Sequence, residues 1–350
     1  MSQQYSSRYK KGGGGNRRHV RRPSRQQKFP SWFIGIALIV AAVASFLIVQ
    51  TVLSLFGDDA VTQATQSNRT WLTDSWTQNP PTNSQLAQLV SRLRDNRIHM
   101  IYIQTGAWRQ DGQYRAWPNA ADFRARLAEI APEVKVLIWI WYEPSRHANA
   151  TSQESLIAYA QNAIENWGYD GIHLQGYSVF NESENYLLFV ERLKDALPDN
   201  SILSITAPPD HNPADASVPL GAGNPSLSWG TTYKGRMAQL VDEMVIMPHA
   251  SGLERAADYE EWVAYQVATY IRAVARVKAD VELVVAFPTY PQELFHDPSV
   301  ETVINAASGA REGVRNASES SRYLVGGGIY VYDTATDADW DAFAAFWLDE

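Results

Sequence analysis

The chain has 350 residues, no cysteine and a formal net charge of −8. The absence of cysteine excludes disulfides, thiolate nucleophiles and Cys-ligated metals, so any exported part must be held by its core alone. Nine Lys or Arg and no acid fall in the first 30 residues, which leaves 21 basic against 38 acidic residues, a balance of −17, in the remainder; so acidic a body excludes nucleic acid as its natural partner.

Residues 1–30 interleave these charges with Gly12 to Gly15, Ser and Gln. Such a composition cannot bury enough apolar surface to offset chain entropy, and it predicts a disordered basic tail. Next comes FIGIALIVAAVASFLIVQTVLSLF, residues 33–56, 24 residues without a charge. At about 1.5 Å rise per residue a helix of that length spans roughly 36 Å, enough to cross a hydrocarbon core. The run is longer than the roughly 7–15 apolar residues of a cleaved signal peptide, so residues 31–56 are expected to form an uncleaved anchor in a lipid bilayer. Flanking Lys and Arg stay on the cytoplasmic side. The expected topology is therefore single-pass in the cell membrane, with the N-terminus cytoplasmic and the rest extracytoplasmic.

A polar linker, residues 57–68, leads into a region (69–350) where short β-branched and aromatic runs alternate with stretches of helical period. Strands are expected at 70–75, 99–104, 134–142, 171–176, 202–207, 243–248, 282–287 and 327–332. Helices are expected near 84–95, 120–130, 152–167, 185–197, 233–240, 259–279, 300–318 and 337–348. Runs such as VKVLIWIW and ELVVAF are almost wholly apolar, as suits parallel strands covered on both faces. Eight such alternations predict a (β/α)8 TIM barrel after one transmembrane helix. A doubly wound open sheet is the other arrangement, but no glycine-rich phosphate loop follows any strand.

The fourth strand reads DGIHLQGY from Asp170 to Tyr177, the sixth MVIMPHA, and the eighth the glycine-led VGGGIYVYD. With these segments the region resembles the family 18 glycoside hydrolases, the chitinase-like barrels. Their fourth strand carries Asp-Gly-x-Asp-x-Asp-x-Glu and their sixth a Met-x-Tyr-Asp pattern. The resemblance implies that the Glu acts as general acid and that the Asp two positions before it steadies the substrate's acetamido group. Here those positions hold Tyr177 and Gln175, the earlier Asp is His173, and the Tyr-Asp pair is His249 and Ala250. A phenol of pKa near 10 is a poor acid at neutral pH, and general acid catalysis is worth roughly 10² to 10⁴ in rate. The expectation is a non-catalytic barrel that binds a saccharide, an N-acetylglucosamine-containing polymer by resemblance, or a partner. Its polar contacts would come from Gln175, Tyr177, His249 and His173.

Relocated carboxylates are the alternative, with Glu143, Asp210 and Asp333 as candidate acids of an active glycan hydrolase. Glu143, in WIWYEP, either lies desolvated beside Trp139, Trp141 and Tyr142 or pairs with Arg146. Although His173 and His249 with Asp210 or His211 have the chemistry of zinc ligands, no compact ligand spacing exists, so neither a metal nor a cofactor is expected. His173, directed into a barrel, also fits a hydrogen-bonded core histidine. Trp108, Trp117 and Trp229 fall in polar loops, where flat rings suit either sugars or packing.

Overall fold

The computed structural model describes residues 61–211 and 213–349. The basic tail and the apolar run at 33–56 lie outside the described residues, among which no helix is long and apolar enough to cross a membrane. Eight parallel strands form a closed barrel: β1 (Asn68–Leu72), β2 (Ile98–Ile103), β3 (Lys135–Tyr142), β4 (Gly171–Gly176), β5 (Ile202–Ala207), β6 (Glu243–Ile246), β7 (Glu282–Pro288) and β8 (Leu324–Tyr330). Each pairs with the next in chain order and β8 closes on β1, so the TIM-like arrangement expected from the alternation is present.

The longer helices are α1 (Asn83–Asp95), α2 (Ala120–Ile130), α3 (Ala150–Trp167), α4 (Glu184–Ala196), α5 (Thr231–Ala238), α6 (Ala256–Val277), α7 (Val303–Ala317) and α8 (Asp337–Phe343), and single turns of helix form at Ser75–Gln78 and Pro144–His147. Local chemistry sets their starts: Thr82 and Gln85 form a capping box for α1, and Asn149 accepts the Ser152 N–H to begin α3. Helix α1 then buries Leu86, Leu89, Val90 and Leu93 at helical spacing against the barrel. Burying each such side chain contributes about 1.5–3 kcal/mol. Helices α6 and α7 touch along Gly309 and Gly313. A Cβ there would come within 2.5 Å of the Glu260 carbonyl oxygen and 2.7 Å of the Ala264 carbonyl oxygen.

One sequence feature closes the barrel. A Cβ on Gly328 of β8 would stand 2.8 Å from both the Arg69 carbonyl oxygen and the Trp71 ring, so the glycine run lets the large inward side chains of β1 fit. At the base, Arg69 is sealed inside and meets Glu243 at 2.9 Å and Glu282 at 2.8 Å, while the Tyr102 hydroxyl donates to Glu243 at 2.5 Å. Burial works against the Arg69 charge, but Glu243, Tyr102 and Glu282 together hold its pKa above the ordinary value. Above this layer Trp71, Tyr102 and Trp139 fill the middle of the barrel, which is thus a packed core and not a pore.

Candidate functional site

The carboxyl ends of the strands form the mouth, where functional groups of such barrels gather. Inside it, His173 is fully buried between Trp71 and Tyr102, with ring centroids 5.9 and 4.2 Å away, and its Nδ1 shares a 2.8 Å hydrogen bond with Ser204 Oγ. Burial lowers its pKa to about 3, so the ring is neutral at physiological pH. Two residues on, the Gln175 Oε1 accepts the Trp139 indole N–H at 2.6 Å, and its Nε2 donates to the Tyr330 hydroxyl at 3.4 Å. Both ends of the amide are therefore engaged by the barrel itself. Tyr177, at the strand exit, is 57% exposed.

His249 lies flat against Tyr330, with centroids 5.3 Å apart, and shares a 2.7 Å hydrogen bond with the Tyr290 hydroxyl. Burial lowers its pKa to about 4, against the opposing pull of Glu301. The loop that follows is clamped from below: the Glu301 carboxylate accepts the backbone N–H groups of Ala250 (2.8 Å) and Ser251 (2.7 Å) and pairs with His296 Nδ1 at 2.6 Å. No sequence signal marked Glu301 or His296, because the backbone amides that Glu301 holds come from a loop some 50 residues earlier.

Beside these groups, Trp108, Trp141, Tyr142, Glu143, Arg146, His147 and Tyr177 line an open cleft of about 340 Å³. Trp108 reaches it on a hairpin, Gly106–Trp108 paired with Tyr114–Ala116, that the alternation of strands and helices did not predict. The signal was present as Asp111-Gly112, with Gly112 at φ 77° in the turn, a dipeptide that favours hairpins. The Trp108 indole N–H donates to the Trp141 carbonyl at 2.6 Å, and the ring stacks on His147. Trp141 itself is 42% exposed, whereas Trp139 is buried, and Trp229 is buried as packing.

The candidate acids are dispersed. Glu143 is not sealed among the tryptophans: its side chain is 29% exposed, accepts the Ser145 hydroxyl at 2.6 Å and pairs with Arg146 at 3.0 Å. Asp210 Oδ2 accepts the Tyr265 hydroxyl at 3.3 Å, and the Asp210 backbone is clasped by Gln266. Asp333 accepts the Thr73 backbone N–H at 2.8 Å and the Trp76 indole N–H at 2.7 Å, which joins the loops after β1 and β8. Among the described residues, no group of three or more His, Asp or Glu side chains could hold a metal ion. His173 and His249 thus stand in separate hydrogen-bonded settings.

The spore cortex-lytic enzyme SleL of Bacillus cereus superposes with a TM-score of 0.52 at 13% identity, covering 82% of this chain and 76% of that one. A chitinase of Chromobacterium violaceum gives 0.53 at 12% identity, covering 81% and 100%. The barrel has a chitinase-like fold. A family 18 chitinase of Cycas revoluta in complex with an N-acetylglucosamine trimer gives 0.50 at 12% identity, covering 80% and 99%. No family model matches the sequence and no curated protein does. The likeness resides in the chitinase-like barrel.

Proposed function

We propose that the protein is a membrane-anchored, extracytoplasmic glycosidase-like barrel that binds an N-acetylglucosamine-containing glycan without hydrolysing it. The observation that carries this reading is the mouth of the barrel: Tyr177 stands where the resemblance puts the acid, and Gln175 is tied to Trp139 and Tyr330. Neither side chain offers the carboxyl that protonates a leaving oxygen or steadies a developing cation. The aromatic cleft supplies what a binder needs, since the exposed rings of Trp141 and Tyr177 line it with Trp108 beside the polar Glu143–Arg146 edge. That a barrel of this fold is known with the sugar trimer supports the ligand class. The uncharged run at 33–56, with nine basic residues before it, supports the anchor.

The decisive experiment uses the full-length chain in detergent, measuring binding and hydrolysis on one panel of N-acetylglucosamine oligomers, peptidoglycan and neutral glycans. Binding without turnover is expected, and turnover that survives purification would overturn the reading. One observation favours an active hydrolase as the second reading, the position of Glu143 on the cleft wall. Under that reading Glu143→Gln abolishes turnover and barely alters sugar affinity; under ours there is no turnover to lose.

A further inference from the structure

We propose that His147 makes ligand capture at the aromatic cleft dependent on pH, the cleft wall being held together by the neutral imidazole and released by the imidazolium. The proposal rests on the saccharide reading above and adds the regulation of that site.

His147 ties two walls of the cleft together. Its ring lies on Trp108 with centroids 4.1 Å apart and planes 11° apart, which fixes the hairpin side. Its Nδ1 accepts the Glu143 backbone N–H at 3.0 Å, which fixes the turn carrying Glu143 and Arg146. Its carbonyl accepts the Tyr142 hydroxyl at 3.3 Å, so the residue is also moored to β3. An imidazole that accepts at Nδ1 carries its one proton on Nε2. A second proton puts an N–H at Nδ1 against the N–H of Glu143, and two donors cannot share that contact. The ring must turn, and the Glu143 amide loses its partner. Attraction of the cation to the Trp108 face persists, so the side that comes free is the turn with Glu143 and Arg146.

The charged groups facing His147 are Glu143 and Arg146, both on its own turn. The other elements packed on it bring aromatic groups: Trp108 with Tyr114 behind it from the hairpin, and Tyr142 from β3, whose hydroxyl also meets Gln153 of α3. Burial lowers the His147 pKa below the usual 6.5; Glu143 opposes this and Arg146 adds to it. The neutral, assembled form therefore prevails at pH 7 and is lost as pH falls through the lowered midpoint. His147 is a positioning residue here, acting through Trp108 and Glu143.

The test follows the affinity of the full-length chain in detergent for the N-acetylglucosamine trimer from pH 7.5 to 4.5. It compares the wild type with His147→Asn, which keeps an acceptor near Nδ1, and His147→Phe, which keeps a ring on Trp108. In parallel, NMR follows the His147 ring and the Glu143 amide. Wild-type affinity should fall by up to tenfold per pH unit below the His147 midpoint, with the amide signal moving at the same midpoint. Both variants should lack that step. Titration of carboxylates is common to all three proteins and cancels in the comparison. Clear binding at pH 7.5 with no wild-type step, a variant that keeps the step, or an amide that ignores the ring would each overturn the gate. Absence of binding at pH 7.5 refutes the saccharide reading and the gate's purpose with it, while the amide titration separates that outcome from a failure of the coupling.

Discussion

Removing the charge of Glu243 and removing that of Glu282 should have very different consequences, although both carboxylates meet the same guanidinium at almost the same distance. Arg69 lies 2.9 Å from Glu243 and 2.8 Å from Glu282, but the Glu243 side chain is 2% exposed and that of Glu282 54%. Glu243→Gln leaves a buried cation facing one solvated partner and weakens the acceptor of the Tyr102 hydroxyl. Breaking a buried pair in this way costs about 3–5 kcal/mol. Glu282→Gln removes an ion pair screened by water, for which about 0–1 kcal/mol is expected. Urea denaturation of the full-length chain in detergent, followed by tryptophan fluorescence, gives both midpoints and slopes. Equal losses for the two variants would refute the argument that burial, and not distance, sets the value of these contacts. A loss above 3 kcal/mol for Glu282→Gln would do the same.

Three further outcomes can be measured. Gly313→Ala, which would gain about 1 kcal/mol from helix propensity on an isolated helix, should instead destabilise by about 1–3 kcal/mol through overpacking against the Ala264 carbonyl and Val267; a raised midpoint would disprove the close approach of α6 and α7. Lys234 is buried over the Tyr270 ring, and burial lowers its pKa from 10.5 to about 8 despite the opposing pull of Asp210. The unfolded chain thus binds the extra proton between about pH 8 and 10.5, and stability rises with pH across that window. Lys234→Met should raise the denaturant midpoint at pH 7, with the advantage shrinking between pH 8 and 10.5; an advantage constant in pH would contradict this. In glycan binding, Trp141→Ala should weaken affinity roughly tenfold or more, in keeping with the exposed aromatic anchors of binding sites, whereas Trp76→Phe, on the Asp333 side, should leave affinity unchanged.

The barrel was legible because its strands are apolar on both faces. VLIWI in β3 and LVVAF in β7 are buried throughout, and a buried parallel strand has little choice of residue. The ends were less so. The first strand begins at Asn68, because the Asn68 side chain accepts the Gly327 N–H and the Trp347 indole N–H and so belongs to the barrel's closure. His173 could be read as a core histidine from its inward register alone, and the Glu143–Arg146 pair from its spacing of three. The cleft could not, since Trp108 comes from the hairpin, Trp141 from the end of β3 and Tyr177 from the exit of β4. Asp333 was a candidate acid because it follows the last strand; its partners, Thr73 and Trp76, lie 260 and 257 residues earlier in sequence.

The ribbon bearing Trp108 pairs only with itself and stands outside the barrel sheet. One wall of the cleft therefore lies on a barrel strand and the other on a ribbon moored to the core through Tyr114, which is buried against Tyr159 of α3. Changes at the exposed positions of the ribbon can redraw the shape of the cleft without disturbing the barrel strands, provided the buried Tyr114 is kept. Under the binding role proposed above, the exposed Arg115 and Ala116 of the ribbon are where ligand preference can be altered at the least cost to folding.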